Sequence, residues 1–173
     1  NLAPLVGVER LEAGKATAVI RFTLSAPRTS ATGIPEGTQV RTADKRYFKT
    51  EKYAEILPGE LTVDVVAVAD EAGSNSDGIA EGEINVLVDP IPYVSGAKSV
   101  SASTGGTDTE GDDSFTRRIN YAPSIFSVAG PVDAYEYFAS SWRSDVADTK
   151  IVCKEGYTIH IYFLMAGGRV PTR

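Results

Sequence analysis

From residue 15 to residue 26, apolar and polar positions alternate. Ala16, Ala18, Ile20, Phe22 and Leu24 fall on one side, while Lys15, Thr17, Arg21 and Thr23 fall on the other. A period of two is the signature of a half-buried β-strand. Residues 27–33 read as a loop by composition. Two short β-prone runs, 39–42 and 46–50, are joined through Ala43, Asp44 and Lys45, which predicts a tight hairpin. Residues 61–69 (L-T-V-D-V-V-A-V-A) are dense in β-branched side chains and predict a further strand. A polar, Gly-containing loop over 70–82 leads to another strand at 83–88. Pro90 and Pro92 then interrupt pairing, so 95–103 is expected to be an edge strand. Residues 1–103 therefore read as an antiparallel β-lobe.

The period changes after a turn at Thr104, Gly105 and Gly106. A helix over about 108–121 is expected, opened by a capping box formed by Thr107 and Glu110. Asp108, Glu110, Asp112 and Asp113 crowd its first turns, where the positive end of the helix dipole favours carboxylates. Arg117 and Arg118 lie toward its other end, with Asp113 and Arg117 spaced to pair on the surface. Phe115 and Ile119 supply an apolar stripe, and Pro123 enforces a stop. Gly130 and Pro131 open a second helix, over about 131–143, with Pro131 as its first helical residue. Val132, Tyr135, Phe138, Ala139 and Trp142 recur at helical spacing and are expected to form its buried face. A hairpin over about 146–165 follows, turning at Lys154, Glu155 and Gly156, with Ile159, Ile161 and Phe163 on one face. The fold class is thus α+β: an antiparallel β-rich N-terminal lobe (1–103), then a small helix–helix–hairpin lobe (104–173).

Charge narrows the partners. The 173 residues carry 17 Lys and Arg against 23 Asp and Glu, a net charge of −6. The excess is acidic on both sides of residue 103, so no nucleic-acid backbone is expected as a partner. No apolar run is long enough to cross a membrane as a helix, so no membrane insertion is expected. A single cysteine, Cys153, excludes an internal disulfide framework and is expected to be a buried, inert thiol. The opening N-L-A-P-L-V-G-V-E-R has no basic-then-apolar leader pattern and reads as the middle of something, so a piece of a longer chain is expected.

Candidate chemistry is sparse. The acidic cluster from Asp108 to Asp113 lacks EF-hand spacing, because Gly111 comes too early and the twelfth position from Asp108 is Ile119. Helix-start stabilisation explains it better than calcium. Asn75, Asp77 and Gly78 hint at such a loop, but its first ligand would be Gly73. His160 is the only histidine and is expected at the surface or in an interface; a His-based metal cluster needs a second one. There is no G-x-S-x-G, and G-T-D-T-E-G lacks the lysine and spacing of a phosphate loop. Tyr135, Tyr137, Phe138 and Trp142 could line a sugar platform, but at helical spacing they read as core. No catalytic residue, metal ligand or cofactor is assigned.

Several short motifs occur in a defined order. They are L-V-G-V-E-R at 5–10, I-P-E-G-T-Q-V at 34–40, Y-F-K-T at 47–50, T-G-G-T-D-T-E-G-D-D-S-F-T-R-R-I at 104–119, A-P-S-I-F-S-V-A-G-P-V-D-A-Y at 122–135 and A-G-G-R-V-P at 166–171. This series resembles the baseplate J-like family. Ala67, Ala69, Gly73 and Asn75 are similar to its A-x-x-x-G-x-x-G-N loop, with a Ser departing from the pattern before Asn75. The residues carrying the resemblance, Gly37, Gly105, Gly106, Asp108, Glu110, Arg118, Gly130, Pro131 and Tyr135, are expected to have structural jobs in turns and caps rather than chemistry. The resemblance implies a non-enzymatic component of a contractile tail baseplate wedge, in a phage, prophage or injection particle. It implies assembly in the host cytoplasm, and association with copies of itself and other wedge subunits in a ring around the tail hub. Part of the self-association is expected to lie beyond these residues. The alternative is a β-rich carbohydrate-binding or adhesion module, with a hydrolase third.

Overall fold

The alternating run becomes β1 (Lys15–Leu24), with Ala16, Ala18, Ile20, Phe22 and Leu24 all buried. The computed structural model describes residues 3–126, 130–154 and 158–170. It divides into a unit spanning Gly14–Thr107 and a second unit made of residues 1–13 and 108–173. The opening segment thus groups with the helices, not with the β-lobe to which the 1–103 boundary assigned it.

In the first unit, β1 is followed by β2 (Thr32–Ile34), β3 (Gln39–Arg41), β4 (Tyr47–Thr50), β5 (Ala54–Ile56), β6 (Thr62–Ala72), β7 (Val86–Leu87) and β8 (Val94–Ser99). Six of these form one antiparallel sheet in the order β7-β3-β4-β6-β1-β8, and β2 pairs with β5 separately. The sheet nearly closes into a barrel. Its two ends are joined where the Ser99 amide donates to the Ile84 carbonyl (2.9 Å) and the Gly82 amide donates to the Ser99 carbonyl (3.0 Å). Joining the ends removes edges that would otherwise offer unpaired backbone groups. Inside, Ile20, Phe22, Ile34, Val40, Phe48, Ile56 and Ile84 have no exposed surface. Each such side chain contributes roughly 1.5–3 kcal/mol by leaving water. Small residues make room for large ones: Ala69 stands opposite Phe48, and Ala97 opposite Phe22.

The hairpin expected around Asp44 is present as β3 and β4, with Lys45 in a left-handed conformation at the turn. Other details differ. β2 lies partly in the stretch read as loop, because Gly33 lets the strand pass beneath the Tyr53 ring, where a Cβ would stand 2.6 Å from its hydroxyl. β6 runs three residues past Ala69, since pairing of Ala72 with Lys15 and the ion pair between Lys49 and Asp70 (2.7 Å) carry polar residues into the sheet. The strand expected at 83–88 contracts to two residues.

The second unit holds α1 (Asp112–Tyr121), α2 (Val132–Ser140), β9 (Val146–Lys154) and β10 (Thr158–Met165). β9 and β10 pair antiparallel, and α2 packs on α1 and β9. The turn expected at residues 154–156 falls mostly outside the described residues. Four expectations are corrected. α1 begins at Asp112 with Gly111 as its N-cap, so Thr107 and Glu110 form no capping box. Arg117 lies 3.5 Å from Asp148 instead of pairing with Asp113. Pro131 is the N-cap of α2, one position before its first helical residue. Cys153 is exposed.

The largest correction concerns the face that α2 buries. Ala134 and Ala139 are its buried residues, whereas Val132, Phe138 and Trp142 are 48%, 62% and 53% exposed. Packing through small side chains lets α2 approach its neighbours closely and turns most of the bulky stripe outward.

Candidate functional site

Two features of the second unit stand out, one buried and one exposed. The buried feature is an ion pair between Glu110 and Arg118, whose side chains are 0% and 4% exposed. Arg118 donates from Nε to Glu110 Oε1 (2.8 Å) and from Nη2 to Glu110 Oε2 (2.7 Å), a two-pronged arrangement. The remaining valences are also used. Glu110 Oε2 accepts from the Leu11 amide (3.1 Å) and Oε1 from the Ser114 hydroxyl (3.0 Å). Arg118 also donates to the Glu9 carbonyl (2.6 Å) and the Ser141 hydroxyl (3.3 Å).

The opening segment is fastened to α1 a second time through Arg10. Its guanidinium donates to the Glu110 carbonyl and to Asp112 Oδ1 (2.6 Å), and lies 4.6 Å from the centre of the Phe115 ring. Burial pushes the Glu110 carboxyl up, but Arg118, the Leu11 amide and Ser114 outweigh it, leaving the group below its ordinary value of 4.5. A carboxylate whose lone pairs are occupied by an arginine is a structural clamp, not a general base. It links the opening segment, α1 and the end of α2.

The exposed feature is apolar. Trp142 sets its ring edge against Phe163 of β10 at 5.8 Å, and Phe138 does the same against Tyr137 at 5.6 Å. Ile159, Ile161, Tyr162, Phe163 and Leu164 of β10 are all between 36% and 56% exposed. His160 stacks on Tyr162 at 6.3 Å, and Trp142 is flanked by the Arg143 guanidinium at 5.7 Å.

The other residues singled out from sequence are dispersed. In the barrel unit, Gly37 adopts φ 77° at a turn where its amide donates to the Thr50 carbonyl (2.9 Å). Gly105 adopts φ 96°. Gly106 is packed so tightly that a Cβ would stand 2.6 Å from the Gly73 carbonyl oxygen, and its amide donates to Asp77 Oδ1 (3.0 Å). In the second unit, the Asp108 carbonyl accepts from the Ser144 hydroxyl (2.6 Å). Gly130 adopts φ 61°, and a Cβ there would meet the hydroxyl of half-buried Tyr135 at 3.3 Å; Pro131 follows it as the α2 cap. The structure therefore brings together only Glu110 and Arg118 as a chemical pair. Glu9 and Arg10, which complete the clamp with Leu11, stood out in the sequence only as the end of the L-V-G-V-E-R motif and not as partners of Glu110 and Arg118. They lie about a hundred residues away in sequence, and no local spacing marks them.

Among the described residues, no three His, Cys, Asp or Glu side chains are grouped as metal ligands. The barrel unit has an open polar cleft around Asp44, Arg46, Tyr47, Asp70 and Asn75. Arg46 spans it, donating to the Asn75 carbonyl (2.8 Å) and pairing with Asp44 (2.9 Å). No described helix is long and apolar enough to cross a membrane.

Comparison with known proteins adds two findings. The family model for the Baseplate J-like protein barrel domain matches residues 19–106, just over half the chain and nearly all of the barrel unit. A chain in the cryo-EM structure of the anti-feeding prophage baseplate, six-fold symmetrised, has a similar fold. The TM-score is 0.55 at 12% identity, covering 86% of this chain and 47% of that one. The present chain thus spans about half the length of the solved chain it matches. No curated protein sequence matches it.

Proposed function

The chain belongs to the Baseplate J-like family, and on that premise we propose that it is a structural, non-enzymatic subunit of a phage or prophage tail-like baseplate. One observation carries this reading: the family match falls on the near-closed barrel, the part of the molecule with a complete core. The fold similarity to a chain of the anti-feeding prophage baseplate supports it. The subunit's partners are other baseplate wedge subunits and copies of itself, ringed around the tail hub. Its place is the particle baseplate, after assembly in the host cytoplasm.

The sugar-binding alternative is weaker. A sugar site needs aromatic faces beside polar groups in a concave surface. The polar cleft of the barrel unit is lined by one aromatic, Tyr47. Phe138 and Trp142 of the other unit pack edge-on against neighbouring aromatic rings.

The test is genetic and structural. Deleting the gene is expected to leave tail-like particles without complete baseplates under the electron microscope, and restoring it to return them. Complete baseplates in the deletion strain would overturn the proposal. The non-enzymatic part is checked by a screen on esters, glycans and peptidoglycan, with no turnover expected. Activity abolished by substituting one carboxylate would overturn that part.

A further inference from the structure

The turn before β8 carries a residue that the turn itself does not call for. The Val94 amide donates to the Ile91 carbonyl (3.1 Å), so residues 91–94 form a turn with Pro92 and Tyr93 at its centre. Tyr93 adopts φ 70°. A left-handed position directly after a turn proline is the place of glycine or asparagine. A bulky side chain there is strained, and such strain collects at binding sites. The Ser25 amide holds the conformation by donating to the Tyr93 carbonyl (3.1 Å). Yet the Tyr93 ring fills no core, being 59% exposed.

What the ring carries is Arg28, whose guanidinium lies over it, 3.3 Å from its centre. Every other described arginine pairs with a carboxylate or donates to a carbonyl oxygen. Among the described residues, the Arg28 guanidinium does neither, and the Tyr93 ring is its contact. A guanidinium laid flat on a ring keeps its N–H fork free at the edge and fixed in one plane. That geometry takes a carboxylate through two parallel hydrogen bonds. The surroundings are stiff. The Gly59 amide donates to the Arg28 carbonyl (2.8 Å) and the Leu24 amide to the Leu61 carbonyl (2.8 Å), so three loops meet at this end of the barrel unit. Pro27, Pro58 and Pro92, one in each loop, restrict their backbones. Leu57 and Leu61 in the same loops are 53% and 44% exposed.

We propose that Arg28 and Tyr93 form a carboxylate-binding site, whose occupant is an Asp or Glu side chain of a different protein. The inference rests on the reading of the chain as an assembly subunit and names the chemistry by which one neighbour is held. Charge complementarity selects the group, because a planar fork without a counter-ion fits a planar anion. Exposure selects a macromolecule. A small ligand needs a concave site that encloses it, whereas Tyr and Arg on stiff loops are what anchors protein interfaces. A second copy would bring −6 against −6, so the carboxylate is assigned to another chain.

Assembled particles supply the test. A photo-crosslinking side chain at Leu61, outside the Arg28–Tyr93 pair, is expected to capture a different protein through a segment containing Asp or Glu. Arg28→Glu is expected to lower the yield about tenfold or more, and Arg28→Lys to lower it less, because a point charge replaces the fork. Arg28→Glu combined with Lys in place of the captured carboxylate is expected to restore it. Should Arg28→Glu fail to fold, Arg28→Gln is expected to give the same loss. Tyr93→Gly is expected to lower the yield likewise, while the melting temperature of the isolated chain stays within about 3 °C of the parent's, since glycine relieves the turn. A greater fall would make the tyrosine part of the fold and overturn the proposal. So would no capture, a captured segment without a carboxylate, capture of this protein's own chain, parental yield in the Arg28 variants, or no recovery on charge reversal. None of these outcomes touches the baseplate reading, which fails only where complete baseplates form without the chain.

Discussion

The barrel unit and the helix–hairpin unit solve the problem of holding a chain together in opposite ways. In the barrel, large apolar side chains point inward, small ones make room for them, and the sheet nearly closes on itself. In the second unit the buried residues of the helices are alanines and an arginine, and the bulky apolar residues of α2 and β10 face outward. Packing carries the first unit. The second relies on a charged clamp and leaves apolar surface uncovered.

The largest effect is expected where the second unit is clamped. Glu110→Ala or Arg118→Ala leaves a buried charge without its partner and is expected to cost about 3–5 kcal/mol. Replacing both together, as Glu110→Leu with Arg118→Met, is expected to cost much less than the two single changes combined, because no charge is left orphaned. Denaturant titrations of the three variants check this. A double variant as damaged as the sum would show that the clamp acts through shape and not through charge.

Aromatic truncations compare the units directly. Phe22→Ala or Phe48→Ala in the barrel is expected to cost about 3–5 kcal/mol, since both side chains are fully buried. Phe138→Ala or Trp142→Ala in the second unit is expected to cost about 1 kcal/mol or less. Equal losses in thermal melts of the dilute chain would erase the contrast. Gly106→Ala comes next, at about 1–3 kcal/mol, because the methyl group would press on the Gly73 carbonyl.

The smallest effect is the response to acid. The Glu110 carboxyl is held below its ordinary value of 4.5 in the folded chain, so its contribution is complete above that value and is lost as pH falls through the lowered one. Melting temperatures followed downward from about pH 6 are expected to fall less steeply for Glu110→Gln than for the parent chain. Parallel slopes would remove Glu110 as the source.

Much of the barrel was legible because a strand that buries one face writes its period into the chain. The alternation in β1 and the β-branched density of β6 are local signals, as is the turn chemistry between β3 and β4. The short strands β2 and β5 were not legible, because three residues carry no period and a glycine suggests a loop. The order of the motifs pointed to the family from sequence. The clamp was half legible: Glu110 and Arg118 were noticed, but as a helix cap and a helix-end cation.

The sequence by itself determined the α+β class, the antiparallel barrel strands, the two helices and the closing hairpin, because each follows from neighbours within a few residues. Tertiary structure alone decided which faces are inside. A helical stripe at 132, 135, 138 and 142 states only that one side of α2 is apolar; whether that side is covered depends on what packs against it. Here Ala134 and Ala139 take the buried position, and Val132, Phe138 and Trp142 remain outside. Likewise Glu110 was drawn from the helix start into the interior by Arg118 and by the Leu11 amide, 99 residues earlier in the chain. The physical reason is the same in both cases. Periodicity and capping are energies of adjacent residues, whereas burial and charge pairing are energies of residues that only the folded chain brings together.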